Sequence, residues 1–218
     1  MSTKTKKPGE YIRKLARKRN LSAMICFSLF AGVLIATVWL FIIFSTSAVG
    51  ILLSLTGVVS SYYLYCRGRY FQKRALDAQR GAKAETDVAN LLDVLESRRW
   101  QIEYNLKIKR WGDADVVLYS PKGNWYVVDV KSHGGTKISE NGHLRRRYGK
   151  KIVDFKEGNL IRKVKGQARE VKLLKGASWV TAMLCFTRGG VDISDSEVSG
   201  VYVVSAGDLV DTLLWLDK

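Results

Sequence analysis

The sequence predicts an α/β domain, a mixed sheet flanked by helices, preceded by two transmembrane helices. Three observations predict it. No charged residue occurs between Leu21 and Cys66. Two short runs, Ala114–Tyr119 and Trp125–Val130, are rich in Val and aromatics and are joined by the turn-like Ser120-Pro121-Lys122-Gly123-Asn124. Helically spaced apolar stripes lie before and after that pair, one around Leu92 and one around Val164.

The uncharged stretch is long enough for two spans, since a membrane helix needs about 20 apolar residues. Ser45-Thr46-Ser47 divides it, giving spans of Ser22–Phe44 and Ala48–Cys66 joined as an antiparallel hairpin. Gly50, Ser54, Gly57, Ser60 and Ser61 are small enough to let the second span pack closely on the first. Tyr62, Tyr63 and Tyr65 suit a membrane interface. Residues 1–20 hold eight Lys or Arg against Glu10, and the segment after the second span begins Arg67, Arg69, Lys73, Arg74. Both ends are basic and the connector is neutral, so both termini are expected in the cytoplasm, in a cell inner (plasma) membrane. A cleaved signal peptide is the rival for the first span, but such segments have apolar cores of only about 7–15 residues. A re-entrant hairpin remains open. The expected organisation is a basic tail (1–20), the hairpin (21–66), a basic linker (67–74) and one soluble domain (75–218).

In the soluble part, a helix is expected from about Leu76 to Ser97, with Val88, Ala89, Leu92 and Leu95 inward. Glu85 falls on that stripe and points toward the core, and Gly81, one turn back, would permit close backbone approach. The two apolar runs read as paired strands. Asn141-Gly142 is a hairpin turn signal. A second helix spans Leu160 to Lys175, with Leu160, Ile161, Val164, Ala168, Val171 and Leu174 inward and Gln167 among them. Strands follow at Val180–Phe186 and Val201–Ser205, then a covering helix from Ala206 to Leu216 with Leu209, Leu213 and Leu216 inward. Cys26, Cys66 and Cys185 lie in apolar segments without metal or redox spacing, which fits buried thiols in a reducing compartment. His133 reads as a surface residue.

Alternation along a strand puts Asp129 and Lys131 on one face, and Asp113 and Asp115 on one face of the strand before it. If the strands pair, carboxylates and an ammonium meet on one side of a sheet. Charged groups there need a partner or a metal. A structural ion pair between Asp115 and Lys131 would use the same residues. Glu85 and Gln167, polar on apolar stripes, each need a buried partner as well.

Gly81-Ala82-Lys83-Ala84-Glu85, then Gly112-Asp113-Ala114-Asp115-Val116-Val117, then Asp129-Val130-Lys131-Ser132 resemble the nuclease-related domain (NERD) family. That family belongs to the PD-(D/E)XK nuclease superfamily, with its restriction-endonuclease-like fold. Gln167-Ala168 falls where the family carries a Gln on the helix after the core hairpin, and the resemblance covers roughly residues 75 to 205. Ala84 stands where the family usually has Gly, and Asp129 where it usually has Glu; the superfamily pattern accepts either acid. The resemblance implies metal-dependent phosphodiester hydrolysis. Mg²⁺, with Mn²⁺ as a substitute, takes hard oxygen ligands and keeps several waters. Asp115 and Asp129 would be ligands, with the Val130 carbonyl a possible third, and Glu85 would complete or orient the site. Lys131 would hold the attacking water or stabilise charge on the phosphate, and Gln167 would position a water or a phosphate. Asp113 is a reserve candidate.

The net charge of +16 has two shares. The first twenty residues suit anionic lipid headgroups. Residues 67–218 hold 28 basic against 19 acidic residues, and nucleic acid, DNA over RNA, is the expected partner. The densest clusters are Arg145-Arg146-Arg147 with Lys150-Lys151, and Arg162-Lys163-Lys165. Contact with the membrane surface or plain solvation is the alternative for these clusters. A tethered module that binds nucleic acid without cutting it is the alternative to a nuclease. A domain that binds a protein partner is a third reading.

Overall fold

The computed structural model describes residues 9–218, apart from the side chain of Tyr11. The first eight residues of the expected basic tail lie outside the described residues. Two compact units are present, Glu10–Arg80 and, together with Gly9, Gly81–Lys218.

The first unit is a helical hairpin. Helix α1 is Glu10–Phe44 and helix α2 is Ala48–Glu96. Both contain segments long and apolar enough to cross a membrane. Their packing is antiparallel: Phe27 and Phe30 meet Tyr65, at ring-centroid separations of 6.3 and 5.7 Å. Of the expected small-residue seam, Gly50, Ser54 and Ser61 are buried and Gly57 partly so, but Ser60 is exposed. A Cβ on Gly57 would lie 2.1 Å from Thr37 Oγ1, so only glycine fits there. Ser54 and Ser61 are buried and return their hydroxyls to Gly50 and Gly57 carbonyls one turn back. Ile35, Trp39, Ile42 and Val59 point outward and exposed, as a lipid-facing surface requires. The basic stretch Arg67–Arg74 is not a separate linker. It lies inside α2, because between Cys66 and Gly81 there is no Pro and only Gly68 disfavours a helix.

The second unit is built on a six-stranded mixed sheet in the order β1-β2-β3-β7-β10-β9. Its strands are β1 Gln101–Leu106, β2 Ala114–Tyr119, β3 Trp125–Lys131, β7 Val180–Phe186, β9 Glu197–Val198 and β10 Val201–Ser205. Strand β3 is central, antiparallel to β2 and parallel to β7. Tyr126 to Val130 are all buried, which is why this strand reads as a nearly unbroken apolar run. Helix α3, Leu160–Lys175, covers one face, packing Leu160, Val164, Ala168 and Val171 against Val117, Val127, Ala182 and Leu184. The end of α2 and helix α4, Leu209–Leu216, cover the other, packing Val88, Leu92, Leu95, Leu209 and Leu213 against Val116, Val128 and Met183. Each such buried side chain contributes about 1.5–3 kcal/mol.

Two expectations are corrected. Leu174 is exposed, because α3 has passed the sheet by its last turn. A Cβ on Gly81 would meet nothing within 4 Å, so no close approach occurs there.

A smaller sheet, β6-β5-β4-β8, was not foreseen beyond its hairpin. Its strands are β4 Thr136–Glu140, β5 His143–Tyr148, β6 Lys151–Val153 and β8 Val191–Asp192. Asn141 and Gly142 turn the hairpin with φ of 51° and 73°, as a two-residue turn demands.

Candidate active site

The hairpin of β2 and β3 delivers Asp115, Asp129 and Lys131 to one end of the sheet. Asp129 has no solvent exposure, and the Lys131 side chain retains 14 %. Lys131 Nζ pairs with Asp129 Oδ2. From α3, Lys163 Nζ reaches Asp129 Oδ1 at 2.9 Å, and Gln167 Nε2 donates to the same oxygen at 3.3 Å. Gln167 Nε2 also donates to the Asp113 carbonyl at 3.1 Å, while its Oε1 is buried with no hydrogen-bond partner. Asp113 therefore enters through its main chain, and its side chain is exposed. Asp115 is half-buried and accepts from the Val130 N–H at 2.7 Å. It is not the partner of Lys131 in an ion pair; Asp129 is.

Glu85, also half-buried, accepts from the Gly9 N–H at 3.0 Å. The close approach misassigned to Gly81 occurs here. Gly9 has φ of +69°, and a Cβ on it would lie 2.7 Å from the Ala82 carbonyl oxygen.

The electrostatics follow from three carboxylates facing two ammoniums. Burial, and then repulsion from Asp129, push Asp115 up to about 7, against the pull of Lys131. Burial raises Glu85 too; the Gly9 N–H and Lys131 oppose it, and Asp129 adds to it. Burial also works against ionised Asp129, but Lys131 and Lys163 outweigh it and hold this carboxyl below the usual range. Burial works against charged Lys131 as well, but Asp129 and Asp115 outweigh it, and its ammonium holds its proton more tightly than usual.

Among the described residues no three His, Cys, Asp or Glu side chains are gathered closely enough to hold an ion. The donor set nonetheless fits a hard divalent cation, which needs only one or two carboxylates and fills the rest with water. Asp115 is short of a positive neighbour, and Lys131 occupies an oxygen of Asp129 that an ion would share. Binding an ion would therefore displace an ammonium from Asp129.

The basic clusters divide. Arg145 is paired with Glu140 at 2.7 Å and Asp154 at 2.9 Å. Arg147 is paired with Asp192 at 2.7 Å. Arg146 donates to the Asp154 carbonyl and lies 4.8 Å from the centre of the Phe155 ring. These arginines knit the small sheet together, whereas Lys150, Lys151, Arg162 and Lys165 are exposed. Lys163 belongs to the site itself. Its signal was legible: it lies four residues before Gln167, on the same helix face.

His133 is only partly exposed. It packs edge-on to Phe155 and bonds Glu157 at 3.0 Å, and burial lowers its pKa. Lys137 was missed altogether. Fully buried, it donates to the carbonyls of His133, at 2.7 Å, Gly135, at 3.0 Å, and Arg188, beneath the Phe186 ring. An amphipathic period gave no reason to expect a lysine inside.

A carboxylate pair and a lysine on a central hairpin, capped by a helix glutamine, is the arrangement expected from the resemblance. Residues 80–187 match the family model of the nuclease-related domain, NERD. The chain carries a nuclease-related domain. No curated protein and no solved structure matches the chain. The matched span begins just before Glu85 and ends with β7, so it takes in Glu85, Asp115, Asp129, Lys131 and Gln167, the five residues expected from the resemblance. It ties the chain to nuclease-like chemistry.

Proposed function

We propose that the protein is a membrane-anchored, metal-dependent nuclease that hydrolyses phosphodiester bonds of DNA or RNA at the cytoplasmic face. The observation that carries this reading is the meeting of Asp115, Asp129 and Lys131 on the β2–β3 hairpin of a nuclease-related domain. Mg²⁺ or Mn²⁺, when bound by Asp115 and Asp129 with Glu85 nearby, supplies Lewis-acid stabilisation of phosphate charge and an activated water. Lys131, freed from Asp129 Oδ2, orients the attacking water and stabilises the negative charge that builds on the phosphate oxygens. Gln167 and Lys163 hold Asp129 in place, which keeps its lone pairs aimed at the reacting centre. Glu85, with its raised pKa, is suited to accept a proton from that water.

The apolar hairpin supports anchoring in the inner (plasma) membrane, and basic residues flanking both spans favour cytoplasmic termini next to anionic lipid. DNA is the preferred substrate in this reading. One observation favours a second reading, a tethered module that binds nucleic acid without cutting it: both oxygens of Asp129 are already held by ammonium groups. Cleavage of labelled DNA and RNA by the purified chain, with Mg²⁺ or Mn²⁺ and beside an Asp129→Ala control, separates the two. Metal-dependent products absent from the control support the nuclease. No products with either metal support the tether.

A further inference from the structure

The segment Lys107-Ile108-Lys109-Arg110-Trp111-Gly112-Asp113, between β1 and β2, takes no part in either core cluster beyond Ile108. It is nonetheless held at every turn of one stripe of α3. Glu170 accepts the Lys109 N–H at 2.7 Å and the Arg110 N–H at 3.1 Å. Gly166 lies under Trp111 so closely that a Cβ there would fall 2.3 Å from the indole ring. Gln167 takes the Asp113 carbonyl at 3.1 Å and Asp129 at 3.3 Å with the same nitrogen. At Gly112, whose φ is +74°, a Cβ would meet Lys163 Cε at 3.9 Å. The loop backbone is thus fixed to Glu170 and to Gln167, which also holds Asp129.

Its side chains are left free. Lys107, Lys109 and Arg110 are exposed and ion-paired to no carboxylate among the described residues. The one acid that grips the loop, Glu170, is spent on main-chain amides. The Arg162 guanidinium carbon is 5.9 Å from the Trp111 ring centre. Arg162 and Gly166 are one turn apart on the same helix face, so the indole lies across that turn. Trp111 nonetheless stays partly exposed.

We propose that this loop is the substrate-gripping rim of the site, and that it recognises an unpaired strand. Lys107, Lys109 and Arg110 take backbone phosphates, and the exposed part of Trp111, beside Arg162, stacks one base beside the scissile bond. Stacking needs a base out of its pair, so the substrate class is single-stranded nucleic acid or an unpaired end. The proposal rests on the nuclease reading for what happens after capture, but binding itself is independent of it.

The test is oligonucleotide binding by the full chain in detergent micelles with EDTA, so that nothing is cut, followed by fluorescence anisotropy across a salt series. Neutralising three phosphate contacts in a Lys107→Gln, Lys109→Gln, Arg110→Gln variant should make the single-strand salt slope shallower by about 2, and weaken binding at about 0.1 M salt roughly a hundredfold. Trp111→Leu should weaken single-strand binding by about tenfold and leave blunt duplex unaffected. Trp111→Phe, which keeps an aromatic face, should restore it and guards against a merely unfolded variant. An unchanged slope in the triple variant overturns the proposal, as does a wild type that binds no oligonucleotide. Equal losses on single strand and duplex in Trp111→Leu overturn the stacking. A wild type that binds in this way but never cuts with Mg²⁺ sinks the nuclease reading and leaves the rim standing. One that cuts normally, with a triple variant that binds and cuts equally well, sinks the rim alone.

Discussion

Replacing Asp115 by Asn should stabilise the domain and, if the proposed function holds, remove its chemistry. Burial and Asp129 raise the carboxyl's pKa to about 7 from an ordinary 3.8. An acid whose pKa is raised on folding binds more protons folded than unfolded between those two values. Its stability contribution is full below pH 3.8 and is lost as pH rises through about 7. Over the whole window the loss is about 4 kcal/mol, and about 2 kcal/mol of it falls between roughly pH 5.5 and 8. Asn cannot ionise, and its amide oxygen still accepts the Val130 N–H. Urea unfolding in micelles with EDTA, read from exchange of the β2 and β3 amides, should therefore show the variant more stable than wild type, by a margin that grows by about 2 kcal/mol from about pH 5.5 to 8. If the proposed function holds, Mg²⁺ at the higher pH should rescue wild type and do nothing for the variant. A margin that stays flat with pH, or a variant less stable than wild type at the alkaline end, would refute the charge-repulsion argument.

Three further outcomes are expected. Lys137→Met should cost about 3 kcal/mol, measured by thermal unfolding, because three buried carbonyls lose their donor. Burial lowers the Lys137 pKa to about 8 from 10.5, so wild-type stability should gain a component that rises with pH between those values and is absent in Lys137→Met. Gly9→Ala should cost about 1 kcal/mol for a side chain at positive φ, and the clash with Ala82 should free Glu85; faster exchange of the residue-9 amide than in wild type checks the link. Gly57→Val should prise α1 from α2 at Thr37, seen as loss of cross-linking between cysteines placed at neighbouring seam positions.

The pairing of β2 with β3 was legible because the apolar runs and their turn lie next to each other, and alternation alone places Asp129 beside Lys131. Strands β7 and β10 were legible for the same reason, being short buried runs bounded by polar residues. The small sheet was not, beyond its Asn-Gly turn. Strands β4 and β5 are mostly polar, and β6 and β8 are three and two residues long, so they carry no apolar period. The unbroken course of α2 was hidden by composition: the change from apolar to basic at Arg67 marks a change of surroundings, not of backbone. In the site, local spacing showed which residues share a face but not which charges pair. Asp129 takes Lys131 from its own strand and Lys163 from a helix 34 residues away. That choice is tertiary, and it left Asp115 without the partner an ion-pair reading would assign to it.

The same charge balance bears on what the site is for. A hairpin meant only to hold the sheet together would place apolar residues at 115 and 129, since a buried ion pair seldom outperforms them. Here three carboxylates are brought toward two ammoniums, and the surplus falls on a group forced up to about 7. Folding tolerates this because the central strand pairs on both sides and both faces of the sheet are packed. The Gly9 contact extends the argument, since a main-chain N–H given to Glu85 eases the repulsion without adding a cation that a phosphate would compete for. Strain of this kind, concentrated at one end of a well-packed sheet, is what the proposed metal site would need before an ion arrives.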